Sequence, residues 1–224
     1  MKHDLVDLIG KGLEIEISGS KLWKGILVDA GQDILVIFHS EKNEFLYIPF
    51  LHVQRIRELN EIEIESFLEP PSEKPIELES VSFRKILMNA KGVFVQIFVT
   101  GNKAIHGYLT SIMNDYFVFH SPVYKTMYIS MNHVKWLIPY PHNTTPYSLT
   151  NQNHYFTPQI ATLSRSFDEQ LKKFIGKLII LDGGHNKDKI GLLQDVRNNK
   201  IALITAESNT MYWNLTHIKT VQFP

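Results

Sequence analysis

The sequence predicts an all-β protein built as three tandem five-stranded barrels, each preceded by a short helix. Three observations lead to this. A seven-residue motif, Tyr47-Ile48-Pro49-Phe50-Leu51-His52-Val53, returns as Tyr128-Ile129-Ser130-Met131-Asn132-His133-Val134 and as Tyr212-Trp213-Asn214-Leu215-Thr216-His217-Ile218. A glycine and a polar turn keep register with it, since Gly25 to Asp33, Gly107 to Asp115 and Gly191 to Asn199 are each eight residues apart. Between these landmarks the apolar residues alternate with polar ones, the period of a half-buried strand. Repetition of this kind governs every local assignment, because each copy is one structural unit written again.

The 224 residues accordingly divide into units at 1–58, 83–141 and 166–224, joined by linkers at 59–82 and 142–165. Each unit opens on a helical pattern. Leu5-Val6-Asp7-Leu8-Ile9 ends at Gly10, Ser82 caps Phe83 to Met88 ahead of Gly92, and Ser166 with Glu169 forms a capping box before Leu171 to Phe174 and Gly176.

The first strand follows: Leu13, Ile15 and Ile17 alternate with Glu14, Glu16 and Ser18, with Val93, Val95, Ile97 and Val99 and then Ile179 and Leu181 in the later copies. Gly19, Gly101 and Gly183-Gly184 mark the next turn, and the second strand runs through Gly25, Gly107 or Gly191. A glycine inside a strand marks a sharp bend or bulge, which a small closed barrel needs where one strand serves both sides. After the Asp or Asn turn come a third strand (Ile34 to Phe38, Tyr116 to Phe119, Ile201 to Ile204), a fourth ending at the motif Tyr and a fifth starting at the motif His.

The linkers differ in kind. Residues 59–82 hold seven acidic and one basic side chain, with Ile62, Ile64 and Phe67 able to extend a strand until Pro70-Pro71 stops it. Residues 142–165 are rich in Asn, Thr, Tyr and Pro and read as a loop or extended strap. Asn143 and Asn214 stand in glycosylation-like triplets, which matter only in an exported protein.

Composition narrows the function classes. The chain holds no cysteine, so disulfide and thiolate chemistry are excluded. Basic and acidic side chains number 23 each, so overall charge selects no polyanionic partner, although the middle unit holds six basic and one acidic. The start, Met1-Lys2-His3-Asp4-Leu5, lacks the apolar run of a signal peptide, and no stretch has the length of a membrane span. A cytoplasmic protein with no membrane association is expected. No nucleophile elbow, phosphate loop or zinc helix is present, and Asp182 and Asp188 beside Gly183-Gly184 are residues that turns favour; the expectation is no enzyme and no cofactor.

The helix, five bent strands, mid-strand glycine and Asp or Asn turn resemble the Sm-like (SH3-like) barrel of the Sm proteins and the RNA chaperone Hfq. Val95 to Lys103 running through Gly107 to Asp115 carries the likeness best. Leu46-Tyr47-Ile48-Pro49 followed by His52-Val53 resembles small Sm-like proteins of spore-forming Bacillus, some of them spore-coat proteins. The likeness covers the three units and neither linker. It implies open strand edges that pair into rings, here a pseudo-trimer within one chain or a pseudo-hexamer from two. It departs from the chaperone in one respect: four residues separate Tyr128 from His133 with no Lys between them, where the chaperone places Tyr, Lys and His together.

The repeated residues each have two readings. Tyr47, Tyr128 and Tyr212 are either cross-strand ladder residues or rings on which bases stack. His52, His133 and His217 either cap the loop before the fifth strand or meet as a three-histidine metal site; the first is the expectation and no metal is assigned. Two functions follow. The first is a non-enzymatic structural or scaffolding protein, of a kind found in spore coats, joining itself and other structural proteins through barrel edges. The second is an RNA-binding protein acting through the basic middle unit, with Lys103, Lys125, His133 and Lys135 as contacts.

Overall fold

The computed structural model describes residues 5–76, 82–99, 104–141, 144, 147 and 162–224. The chain falls into two compact units, residues 1–98 with 134–144 and residues 99–133 with 145–224.

In the first unit, β1 (Gly12–Ile17), β2 (Lys21–Ala30), β3 (Ile34–His39) and β4 (Glu44–Pro49) form an antiparallel meander, and β5 (Val53–Glu58) returns to pair with β1. Helical turn α1 (Glu61–Ile64), helix α2 (Phe83–Asn89) and strand β6 (Phe94–Phe98) follow. The last strand of the unit, β10 (Trp136–Pro139), lies between β6 and β4, so the order is β6-β10-β4-β3-β2-β1-β5.

The second unit begins with β7 (Ala104–Ile112), β8 (Tyr116–Ser121) and β9 (Lys125–Ser130). Helix α3 (Phe167–Lys172) leads into β11 (Leu178–Leu181), β12 (Ile190–Arg197), β13 (Lys200–Ile204), β14 (Thr210–Asn214) and β15 (Thr220–Gln222). Here the order is β14-β13-β12-β11-β15-β9-β8-β7.

The expected strands form, and the expected three barrels do not. Fifteen strands, seven in the first unit and eight in the second, make an open antiparallel sheet in each unit, with three short helices among the described residues. The reason lies in two junctions, where the fourth strand of one repeat pairs with the fifth strand of the next instead of with its own. Strand β10 of the second repeat lies on β4 of the first, and β15 of the third lies on β9 of the second. Closure within a repeat is thereby replaced by junctions between repeats.

The cores are shared in the same way. Leu13, Ile15, Ile17, Leu27, Leu35, Ile37, Leu46 and Ile48 of the first repeat pack with Trp136 and Ile138 of the second. In the other unit Tyr116, Val118 and Tyr128 of the second repeat join Phe167, Leu171, Ile179, Leu193 and Leu203 of the third. Burying such side chains contributes roughly 1.5–3 kcal/mol each, so each repeat depends on its neighbour for part of its core.

The mid-strand glycines act as expected. A Cβ on Gly25, Gly107 or Gly191 would stand 2.3, 2.1 or 2.4 Å from the carbonyl oxygen of Phe38, His120 or Ile204. Two residues further on, each second strand slips register against the third, between Leu27 and Asp29, Leu109 and Ser111, and Leu193 and Asp195. The glycine lets the backbones approach, and the bulge bends the strand.

Two local expectations are corrected. The strand extension expected after residue 59 is helical turn α1, because Asn60 Oδ1 accepts from the Glu63 backbone N–H at 3.0 Å while Glu63 Oε2 accepts from the Asn60 N–H at 3.2 Å. The capping box expected at Ser166 and Glu169 is absent: Ser166 donates to Asp168 Oδ1 instead, and the start of α3 is held by Asp115 of the preceding repeat. In the first repeat, the described part of the expected helix is a run of turns over residues 5–10 with helical geometry only at Leu5 and Val6.

Candidate functional site

Each Tyr–His motif is one device: the end of a fourth strand, one 3-10 turn, and the entry to a fifth strand. The turns are Phe50–His52, Met131–His133 and Leu215–His217. The first residue of each turn donates its backbone N–H to the turn between the second and third strands, Phe50 to Asp33 O (2.8 Å), Met131 to Asp115 O (2.9 Å) and Leu215 to Asn199 O (2.9 Å). The spacing from polar turn to motif thus has a physical cause.

The motif tyrosines fall on strand edges, and their surroundings differ. Tyr47 faces Leu137 of β10, and Tyr128 faces Val221 of β15. Tyr47 is 0% exposed and Tyr128 7%, whereas Tyr212, on end strand β14, is 72% exposed. Burial pushes the Tyr47 hydroxyl well above the ordinary tyrosine range and raises Tyr128 as well. The ladder reading therefore describes Tyr47 and Tyr128, and Tyr212 keeps an open face.

The carboxylates of the polar turns also serve the junctions. Asp33 Oδ1 accepts from the Phe83 N–H at 2.7 Å, and Asp115 Oδ1 accepts from the Phe167 N–H at 2.9 Å, so each holds the first turn of the next repeat's helix. In the third repeat Asn199 stands at this place and its Nδ2 donates to Asn214 Oδ1 at 3.3 Å. These aspartates were legible in the sequence only as turn residues; the retained carboxylate in two copies and the amide in the third was the available signal.

The histidines hold loops. His52 Nδ1 lies 3.3 Å from Ser18 Oγ, and His133 Nε2 lies 2.8 Å from the Thr216 carbonyl oxygen, to which it donates. Desolvation lowers the His133 pKa, opposed in part by that hydrogen bond. His217 is exposed. No group of three or more His, Cys, Asp or Glu suited to a metal ion occurs among the described residues. Asp182 is a similar brace: buried, it accepts the backbone N–H groups of Lys219 (2.8 Å) and Thr220 (3.1 Å) on Oδ1 and pairs with Lys189 through Oδ2.

Three of the four residues expected to touch RNA lie among the described residues. Lys135 Nζ donates to the Ser18 carbonyl oxygen at 2.6 Å, beside the Phe98 ring. Lys125 is exposed at a turn, its Nζ 3.4 Å from the Pro122 carbonyl oxygen. His133 is engaged as described, and Lys103 lies outside the described residues, as do Asn143 and most of the second linker. A cleft of about 440 Å³ in the second unit opens beside the motif loops. Its lining includes Asp115, Asp168, Ser130, Asn132, Asn199 and Thr216 and, among the described residues, no lysine or arginine. The Ser166 hydroxyl holds the Asp168 carboxyl below its usual range. Such a cleft presents negative charge, the wrong sign for phosphates.

Among the described residues, β5 in the first unit and β14 in the second each have a single strand neighbour. On β5, Arg55 and Arg57 face Glu16 and Glu14 across the ladder to β1, and Arg57 also binds Glu63, whose carboxyl is drawn down to about 2 by that guanidinium. The β5 end is therefore more polar than the junctions between repeats, whereas β14 presents Met211, Tyr212 and Trp213. No helix among the described residues is long and apolar enough to cross a membrane.

Comparison with known proteins marks the third repeat as a domain and finds a relative over nearly the whole chain. A family model described as "YwrJ third domain" matches residues 166–221, the third repeat. Among solved structures, the four MBT repeats of Drosophila melanogaster Sfmbt in complex with a peptide are similar at 9% identity and a TM-score of 0.17. That alignment covers 94% of this chain and 63% of the other, and its score is too low to carry an argument. A Bacillus subtilis (strain 168) protein, "Uncharacterized protein YwrJ", is 42% identical over 224 residues, covering 98% of this chain and 99% of its own length. With near-complete coverage at that identity, the chain belongs to the YwrJ family.

Proposed function

We propose that this protein is a non-enzymatic scaffold that joins partners through the outer edges of β5 and β14, which have no second strand neighbour among the described residues. The observation that carries the reading is the contrast among three equivalent tyrosines, two buried in strand junctions and one exposed on an end strand. An exposed edge presents a row of backbone donors and acceptors to an added strand. A place in the spore coat belongs to the same proposal and rests on the Bacillus-type motif around Tyr47 and His52 alone.

The RNA-binding reading loses support from the acidic cleft and from the internal engagement of Lys135 and His133. One experiment separates the two. Purified chain is titrated with labelled mixed-sequence single-stranded RNA at low and physiological salt, and separately with a synthetic peptide carrying residues 134–139, the segment that includes the strand docked on β4. Scaffolding predicts no saturable RNA binding, and peptide-induced NMR shifts confined to β14 and its neighbours. RNA binding that falls steeply with salt and with Lys125→Ala overturns the reading.

A further inference from the structure

Strand β15 carries two buried side-chain oxygens that the described residues leave unpartnered. Counted from the motif histidines, Thr220 and Gln222 stand where the second repeat has Trp136 and Ile138. Those two are packed into an apolar core. Thr220 is 0% exposed and Gln222 8%, yet Thr220 Oγ1 and Gln222 Oε1 have no hydrogen-bond partner among the described residues. Buried polar atoms are normally paired, and leaving one unpaired is costly, so a group that reached both oxygens would be held by them.

Alternation along the strand explains where they point. Val221 joins Tyr128 in the core, which sends Thr220 and Gln222 to the opposite face of the sheet. There both line a cavity of about 50 Å³ within the second unit. Met127, opposite Gln222 in the β9 ladder, and Ile105 are its buried apolar wall. Tyr124 is half-buried, and exposed Gly183 and His185 place the mouth beside the turn that follows β11.

The lining selects the chemistry. Among the described residues it holds no lysine, arginine, aspartate or glutamate, so a charged group would be desolvated there without a counter-charge. Asp182, next to Gly183, is already engaged: Oδ1 accepts the Lys219 and Thr220 backbone N–H groups, and Oδ2 pairs with Lys189. Two unpartnered oxygens match two donors on one neutral group. The NH2 of a primary carboxamide has two N–H donors, whereas a hydroxyl has one. The cavity exceeds the space that one water needs and admits a group of a few heavy atoms.

We propose that this cavity binds a primary carboxamide, its NH2 donating to Gln222 Oε1 and Thr220 Oγ1 and its alkyl side lying against Ile105 and Met127. A small free amide and the side chain of an asparagine or glutamine from a protein partner carry the same chemistry. The site uses no residue of β5 or β14 and is independent of the scaffold reading.

The test titrates the whole chain with acetamide and follows backbone and side-chain NMR signals. Saturable shifts are expected at Met127, Thr220, Gln222 and residues 183–185, complete by about 100 mM for so small a ligand. N,N-dimethylacetamide lacks the donors and methylammonium adds a charge; each is expected to bind at least about ten-fold more weakly. Thr220→Val keeps the shape and removes the hydroxyl. Binding is expected to fall at least about five-fold while the melting temperature stays level or rises, and Thr220→Ser is expected to keep binding. If Thr220→Val loses the native spectrum, Gln222→Met supplies the same comparison. N-acetylasparagine methylamide separates the sources: binding at least as tight as that of acetamide marks a protein side chain, and much weaker binding marks a free amide.

Three results overturn the proposal. Absence of saturable shifts means that the cavity holds ordered water only. Equal binding of methylammonium or N,N-dimethylacetamide means that the site does not read paired neutral donors. Acetamide binding unchanged in both Thr220→Val and Gln222→Met places it elsewhere on the protein.

Discussion

Tyr47 and Tyr212 occupy the same place in the same motif, each at the end of a fourth strand and each followed by a 3-10 turn and a histidine. Tyr47 is fully buried, its hydroxyl donating to the Ile76 carbonyl oxygen at 3.4 Å, while Tyr212 is 72% exposed on a strand with one strand neighbour among the described residues. What separates them is the neighbouring repeat: the fourth strands of the first and second repeats each pair with the fifth strand of the next, and β14 has no such partner among the described residues. Local sequence builds the edge, and a neighbouring repeat decides whether it becomes core.

The largest expected effect sharpens this contrast. Tyr47→Ala removes a fully buried ring and is expected to cost about 3–5 kcal/mol in denaturant unfolding, while Tyr212→Ala is expected to stay within about 0.5 kcal/mol. Equal losses at the two positions would mean that Tyr212 is already covered in solution. A change unrelated to the edges should ignore the contrast. Gly25→Ala and Gly191→Ala each drive a Cβ against a backbone carbonyl, and both are expected to destabilise by about 1–3 kcal/mol or more. A tolerated Gly191→Ala would show that the third repeat is packed more loosely than the first.

Next in size are the helix anchors. Asp115→Ala removes the acceptor for the Phe167 N–H and is expected to cost about 1 kcal/mol, whereas Asn199→Gly, which suits the left-handed φ of 61° at that position, breaks only an exposed amide pair and should be near neutral. Equal effects would break the equivalence drawn between junction and open end.

The smallest effect is a pH dependence. Burial lowers the pKa of His133 below 6.5, and that of His39, His106 and His120 likewise. The unfolded chain therefore binds more protons at mildly acid pH, and stability present above pH about 6.5 is lost as pH falls toward the folded pKa values. Melting temperature should drop between pH 7.5 and 5.5, and His133→Gln should flatten part of that slope. A slope unchanged in His133→Gln would remove His133 from the account.

Much of the fold was legible because its signals are local. Alternation placed Leu13, Ile15 and Ile17 on one buried face, and the spacing from Gly25 to Asp33 marked a bend and a turn that both occur. The closure of each repeat was not legible. Whether a fourth strand meets its own fifth strand or a neighbour's is a choice between hydrogen-bonding edges distant in sequence, and the two strand patterns read the same either way. Ser82 caps α2 as expected, its hydroxyl accepting from the Lys85 N–H, but the capping box before α3 failed for a related reason. Ser166 and Glu169 have the spacing of a capping box, yet Asp115, far away in the chain, takes the Phe167 N–H. The opposite error occurred at Asn60 and Glu63, where apolar residues at Ile62 and Ile64 suggested a strand and a local cap made a helical turn.

By itself, the sequence determined the three repeats, their strands, the bulge beyond each central glycine and the Tyr–turn–His device, since each depends on residues within a few positions of one another. Only the tertiary structure decided that the strands join in open sheets, that Asp33 and Asp115 anchor the following helices, and that Tyr212 alone among the motif tyrosines faces solvent. Those outcomes depend on which edge is left without a neighbour, a property of the assembled chain that no single repeat contains.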